Sequence, residues 1–445
     1  VTGFRNRTFL WPIYFLALVT LVSEWRITSI DSRAQFGIGS VAKTWLHQDV
    51  FLSFTKMDMG VILLCSYVML TRRSGIPYIR LDRTAKKFLA LCGIVIAFSI
   101  LIALANSVSN PFSFFRPIAH FTMTLMITRY LVAQVGARRK IIRFINSISG
   151  LYMTLKMILF LSGNGNFVPE IGFVSTYDSY AVYVVLLATL LNLNLVLAAL
   201  HKKKNPATSN LLLTIVGISF SLSTFIRTIW LVIAIALVLC VNSRNNNLVA
   251  SGKKSAKGIF VSPRFLGGLI AIAIICLFIF APSFNSRFNS MHLWSSSAST
   301  ELGGSDNGDH LLDIQNGLAA VKMSPILGSG LGASLDVSGY SYKSKSFGFH
   351  NAPLTVWYWT GFAGFVLWIL FPFQIWKWSK MTKYEDELVS CFAKSVRIWF
   401  CSIFIATSFF SAWPMTSIQF SIFLGLVIAC ITPNQSNVRG ENLVR

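Results

Sequence analysis

Apolar residues run through this chain in long blocks, parted by short polar stretches. A helix needs about 20 mostly apolar residues to cross hydrocarbon. Twelve blocks approach that length, at roughly 9–23, 50–70, 88–105, 113–135, 141–161, 179–200, 210–226, 228–242, 265–281, 353–376, 391–412 and 415–432. The first is short, and the pair on either side of Arg227 is tight. The pattern predicts an all-α, polytopic integral membrane protein of about 12 transmembrane helices, with residues 1–445 as a single membrane domain. One polar gap is long. Residues 282–352 are too many for a connector, so the loop carries function. Within it, Leu311, Ile314, Leu318 and Val321 share one helical face, with Asp309, Asp313 and Lys322 elsewhere. Ser305, Asp306 and Asn307 are caps before this helix. Pro325 and the series Gly328, Gly330, Gly332 end it in turns. The expectation is a large outer loop with a short amphipathic helix lying along the membrane surface.

Composition agrees. Hydrophobic residues make up 54% and charged residues 12%, whereas soluble domains carry about a quarter charged. The net charge of +23, from 39 Lys+Arg against 16 Asp+Glu, would suggest nucleic acid in a soluble protein. Here it follows topology. The basic loops are Arg72 to Lys87, Arg138 to Arg143, His201 to Lys204, Arg244 to Arg264 and Lys377 to Lys383, and each follows an even-numbered block. With the N-terminus inside, all five are cytoplasmic, as is the C-terminal tail. The outer loop holds 4 basic and 5 acidic residues, so the excess is an orientation signal and needs no nucleic-acid partner. Arg5 and Arg7 before the first block look like a signal peptide, but Leu21 to Trp25 offers no small-x-small cleavage site. A signal anchor is expected. All seven cysteines (65, 92, 240, 276, 391, 401 and 430) fall in apolar runs, without CxxC or metal-ligand spacing.

Few polar groups remain for chemistry. Gly328-Ser329-Gly330-Leu331-Gly332 resembles a nucleotide-binding glycine motif, but no strand precedes it and it faces outside. A tight turn back to the membrane is expected. His350-Asn351 stands just before Ala352-Pro353, at a helix N-terminus. His350 is either a plain interfacial residue or a general base. Arg227 stands between two short apolar segments at the outer surface, against the positive-inside trend. It is either a snorkelling end residue or an anion clamp. Further outer or intramembrane polar residues are Arg116, His120, Lys156, Asp178, Arg287, His292 and His310. Together they suit an anionic headgroup such as a lipid diphosphate. Asp306, Asp309 and Asp313 read as a solvated helix face. There is no HExxH, no Ser/His/Asp order and no metal site.

Three ordered stretches resemble the O-antigen ligase and O-antigen (exopolysaccharide) polymerase family. Ser223-Thr224-Phe225-Ile226-Arg227-Thr228-Ile229-Trp230-Leu231 is similar to its Ser-Arg-Gly-x-Trp-Leu stretch. Asp309 to Gly332 is similar to its loop helix followed by Pro-Leu-x-Gly-x-Gly. His350-Asn351-Ala352-Pro353-Leu354, with Gly361-Phe362-Ala363-Gly364 downstream, is similar to its His-Asn motif and Gly-hydrophobic-hydrophobic-Gly. The resemblance covers about residues 175–375 by motif, and the rest by topology.

It implies glycan transfer at the periplasmic face of the bacterial inner membrane. The donor would be a glycan on undecaprenyl diphosphate. The acceptor would be a sugar hydroxyl on lipid A–core, for a ligase, or on a lipid-linked repeat, for a polymerase. No cofactor is implied, no nucleotide sugar and, for ligases, no metal. A flippase and a chain-length regulator are implied partners. His350 matches the base on the acceptor hydroxyl and Arg227 the Arg that binds diphosphate, and Asn351, beside His350 in the motif, is expected among the substrate-binding residues with Arg287, His310, Asp178 and Arg116. Asp178 stands where many members have Asn. Arg116 and Arg287 are further outer cations. There are two departures. His310 stands where the family's loop helix has an Arg, and Ile314 where a Trp is common. His310 or Arg287 would supply the missing cation.

Two other classes fit the topology. A lipid-linked oligosaccharide flippase would use intramembrane charges such as Lys156, but has little need of the large loop. A scaffold protein would tolerate every outer-face point mutation.

Overall fold

The computed structural model describes Tyr14, Ala17 and residues 49–51, 54–70, 83–108, 111–132, 136–162, 166–168, 172–174, 179–202, 204–224, 227–250, 306–336, 345–346, 351–381, 386–410 and 417–432. Eleven helices stand among these residues: α1 (Lys56–Leu70), α2 (Arg83–Ala105), α3 (Pro111–Val132), α4 (Ala137–Leu161), α5 (Ser179–His201), α6 (Thr208–Leu222), α7 (Arg227–Ala250), α8 (Asp306–Met323), α9 (Ala352–Met381), α10 (Glu387–Phe410) and α11 (Ile418–Ile431). Three short antiparallel hairpins join them: β1–β2 (Asp49–Phe51, Phe54–Thr55), β3–β4 (Asn166–Val168, Gly172–Val174) and β5–β6 (Leu335–Asp336, Lys345–Ser346). The helices α2, α4, α5, α9 and α10 contain segments long and apolar enough to cross a membrane. Shorter apolar helices are α6, the front of α7 and α11.

Ten of the twelve apolar blocks correspond to helices α1 to α7 and α9 to α11. The block at 265–281, and all of 9–23 but Tyr14 and Ala17, lie outside the described residues. Three boundaries differ from expectation. The second block becomes helical at Lys56, because Thr55 starts the helix there (below). Helix α6 stops at Leu222, and α7 runs on to Ala250, into the expected basic loop. The hairpins had no signal, since two or three residues cannot show a period.

Side-chain contacts order the helix ends. At one end Arg138, at the start of α4, donates to the carbonyl of Thr432, just past α11 (2.9 Å). Arg139 pairs with Asp386 (3.3 Å), and Lys202 with Glu387 (2.9 Å), beside the start of α10. Short links bring the end of α3, the start of α6 and the end of α9 to the same place. This is the basic end. The far end therefore gathers the end of α6 with the start of α7, the start of α9, the end of α10 and the start of α11. Among the described residues, Arg138, Arg139 and Lys202 thus share one end of the helices.

The centre is α11. Every residue from Gln419 to Ile431 is buried, as expected of a helix apolar on all sides. Gly425 lets it touch the backbone of α3; a Cβ there would fall 2.6 Å from the Phe121 carbonyl oxygen. Small residues give this closeness in membranes, where packing replaces the hydrophobic effect between helices. On its other side lie α5 and α10. Trp399 of α10 packs on Phe420 and Phe423, and its indole N–H donates to the Tyr183 carbonyl (2.6 Å). Buried amides tie neighbours: Asn194 donates to Ser395 Oγ (2.9 Å) and Asn192 to Asn146 Oδ1 (2.8 Å). Such bonds between helices contribute about 0.6–2 kcal/mol each.

Helix α2 is the opposite case. Leu91, Ile94, Phe98, Leu101 and Leu104 form an exposed stripe along it. A stripe of that size in water would invite aggregation, whereas in a bilayer it faces lipid.

Candidate functional site

The corner between α6 and α7 is built from its own side chains. Ser223 and Thr224 are fully buried, and their hydroxyls donate back to the carbonyls of Phe220 and Ser221 (both 2.8 Å). Trp230 reaches back over the corner, donating to the Leu222 carbonyl (3.1 Å). Ile229 and Val232 are buried beneath and fix the first turn of α7. Arg227 is the first residue of that helix, and no acidic residue lies in its first turn. The helix start leaves backbone N–H groups without helical partners, with a partial positive charge that favours an anion.

The start of α9 is held from two directions. Asn351 caps it, accepting from the Leu354 N–H (3.1 Å). The other end of the same amide donates to the Ser408 carbonyl near the end of α10 (3.0 Å). Both ends of Asn351 are therefore used by the fold, and the chain just before α9 is set against α10.

The glycine series fills a break in α9. Gly361 has φ 69° and ψ −170°, outside the helical region. Its neighbours' backbone groups are thereby freed from the helix ladder. Ser329 N–H donates to the Tyr358 carbonyl (2.7 Å) and Gly330 N–H to that of Trp359 (3.1 Å), while Phe362 N–H donates to Ile326 (3.1 Å). On the other side Leu331 N–H donates to the Ser99 carbonyl (3.2 Å) and Asn106 to that of Ser329 (3.1 Å), tying the turn to α2. Gly328, Gly330 and Gly332 have φ of 75°, 99° and 78°. A Cβ on Gly330 would fall 2.5 Å from Ala103 Cα, and one on Gly332 would overlap the Phe114 ring. The run is thus a backbone socket that docks the loop on α2, α3 and α9. It follows a helix, α8, and no strand, as the tight-turn reading requires.

One polar group had no clear sequence signal. Asp58, in the first turn of α1, accepts from Thr55 N–H (2.7 Å) and Thr55 Oγ1 (2.8 Å), while its own N–H donates to Thr55 Oγ1 (3.2 Å). This reciprocal cap starts α1 at Lys56. The second carboxylate oxygen takes His120 Nε2 at 2.7 Å, and Arg116 Nε lies 3.6 Å from the first. Asp58 and His120 are 4% and 3% exposed. Thr55-x-x-Asp58 is a capping pattern, so half of this was readable. The partner 62 residues on was not.

Of the residues singled out beforehand, Arg227, Asn351 and Arg116 stand on helix starts at the far end. His310 lies in the first half of α8, whose helix packs on α9. Arg116 differs from expectation in being ion-paired within the protein. Lys156 is buried in α4. His350, Arg287, Asp178 and His292 lie outside the described residues.

Residues 210–369 match the family model described as O-antigen ligase. That segment is similar to the O-antigen ligase family. It takes in α6, α7, α8, the glycine socket, Asn351 and the front of α9. A search of curated proteins finds no match. The family points to glycan transfer in polysaccharide biosynthesis, and the long apolar helices to a membrane protein. The Asp58–His120–Arg116 trio lies outside the O-antigen ligase segment.

Proposed function

We propose that the protein transfers a glycan from an undecaprenyl diphosphate-linked donor to an acceptor sugar hydroxyl. The reaction takes place at the periplasmic face of the bacterial inner membrane, with the basic end of the helix bundle in the cytoplasm. The observation that carries this reading is one segment. The O-antigen ligase match spans both Arg227, at the head of α7, and the start of α9 that follows His350, and both helix starts lie at the end opposite the basic loops.

In this mechanism His350 accepts the proton of the acceptor hydroxyl as its oxygen attacks the anomeric carbon. The bond from that carbon to the diphosphate oxygen breaks, and the lipid diphosphate leaves with the electron pair. Backside attack inverts the anomeric centre. Arg227 and the N–H groups at the head of α7 stabilise the growing charge on the leaving group. Arg287 or His310 supplies a second cation, and Asp178 contacts the sugar. Asn351 positions His350, since its amide fixes the backbone next to it. The donor bond carries the energy, so no nucleotide is consumed. The loop contributes order: the glycine socket fixes the end of α8 against α9, which limits how far His310 can stray.

His350→Ala and Arg227→Ala should each abolish glycan transfer in a purified-protein assay with lipid-linked donor, while membrane insertion is kept. Full product from a stably inserted His350→Ala variant would sink the mechanism. Translocation of the donor without transfer would favour a flippase instead.

A further inference from the structure

The Asp58–His120–Arg116 trio has no role in the transfer step described above, yet it is a built arrangement. The Asp58 carboxylate is hydrogen-bonded to Thr55 N–H, Thr55 Oγ1 and His120 Nε2, and it forms a longer ion pair with Arg116 Nε at 3.6 Å. Arg116 carries five N–H donors in a rigid fork that keeps its charge. Only Nε is directed at Asp58. No other polar partner of Arg116 stands among the described residues. Its side chain is 26% exposed, in the second turn of α3 at the far end, and no acidic residue lies in that helix's first turn. His120 is buried one turn further in, and its Nδ1 has no hydrogen-bond partner among the described residues.

A snorkelling arginine at a membrane surface chooses among many rotamers. The ion pair with Asp58 narrows that choice for Arg116. Asp58 holds its Nε, and Asp58 is itself held by the helix cap on one oxygen and the imidazole on the other. The acid lowers the pull on a distant anion, but it aims the guanidinium edge before any ligand arrives, which reduces the ordering cost of binding. We propose that Arg116, aimed by Asp58 and His120, is a binding site for the phosphate of a lipid headgroup. The planar fork matches two phosphate oxygens. The site is separate from Arg227: α11, with α5 and α10, stands between α3 and α7. Where the transfer reading holds, a second phosphate site suits an acceptor that is itself lipid-linked, which is the demand of a polymerase.

The test is binding, and needs no turnover. The full chain is placed in phosphatidylcholine nanodiscs, and undecaprenyl monophosphate is titrated in, with occupancy read by native mass spectrometry. Two bound lipids are expected for the parent protein. Arg116→Gln should weaken one of them about tenfold or more and leave the other. Arg227→Gln should do the converse. Asp58→Asn should weaken the same lipid as Arg116→Gln, and Arg116→Lys should not restore it, because an ammonium lacks the fork. Phosphatidylglycerol or inorganic phosphate displacing that lipid would separate a general phosphate site from one that needs the polyprenyl chain. Occupancy unchanged in both Arg116→Gln and Arg116→Lys overturns the site. A single lipid lost only with Arg227→Gln overturns it too, and leaves the transfer mechanism standing.

Discussion

Two polar assemblies stand at the same end of the bundle and are made of different material. The glycine socket is built of backbone: carbonyls freed by the break at Gly361 receive the N–H groups of Ser329 and Gly330. The trio on α1 and α3 is built of side chains, with one carboxylate at its centre. A backbone site demands glycine, so it leaves a readable spacing in the chain. A side-chain site demands only that distant residues meet, and leaves none. The socket also tolerates less. Its contacts are to backbone atoms of α2 and α9 that cannot turn aside, whereas the trio could relax by rotating Arg116 outward.

The sharpest way to break the socket is Gly330→Val. The residue sits at φ 99°, where a β-branched side chain is strained, and its Cβ would meet Ala103 backbone at 2.5 Å. The cost should be about 3 kcal/mol or more. In detergent this should appear as a large fall in Tm or as loss of the monodisperse peak, with transfer activity lost as the loop undocks. A stable, active Gly330→Val protein would show that the socket is not rigid.

Asp58→Ala should come next. It removes the helix cap, leaves His120 Nε2 without its acceptor in the interior, and frees Arg116. Loss of a buried charged partner costs about 2–4 kcal/mol. Tm should fall clearly, and Asp58→Asn, which keeps an acceptor for Thr55 N–H, should fall less. Equal losses in the two would mean that the cap contributes little.

Below these lies Asn351→Ala, which removes one cap bond and one tether to α10, at about 1–2 kcal/mol. If Asn351 acts by placing His350, transfer should fall by more than stability does, with the loss in kcat. An unchanged kcat in a folded Asn351→Ala protein would remove that role.

The same contrast explains what could be read beforehand. Helix α8 was legible because Leu311, Ile314, Leu318 and Val321 repeat at helical spacing, and its end because Pro325 and glycines cannot continue it. The start of α9 was legible from Pro353, and the α6–α7 corner from an arginine between two apolar runs. The break at Gly361 was visible only as part of a family-like Gly-x-x-Gly, since a lone glycine in an apolar run also suits plain close packing. Gly425 gave no hint of its partner on α3, because pairing between helices is not a local property. Asp58 was hidden inside an apolar block, where hydropathy averages it away.

The smallest effect on stability should come from Arg116→Gln, and it sharpens the comparison most. The pair with Asp58 is long, at 3.6 Å, and the arginine is partly exposed. Asp58 keeps Thr55 and His120 when Arg116 is gone. The loss should be below about 1 kcal/mol, within the range of exposed ion pairs. If the trio existed only to join α1 to α3, nothing else should change. If it exists to aim Arg116 at a phosphate, this nearly silent substitution should still weaken one bound lipid about tenfold. Asp58→Ala then damages both fold and binding, Arg116→Gln binding alone, and Gly330→Val chiefly the fold. A Tm loss in Arg116→Gln as large as in Asp58→Ala would instead make the arginine a structural strut, and the trio a joint like the socket.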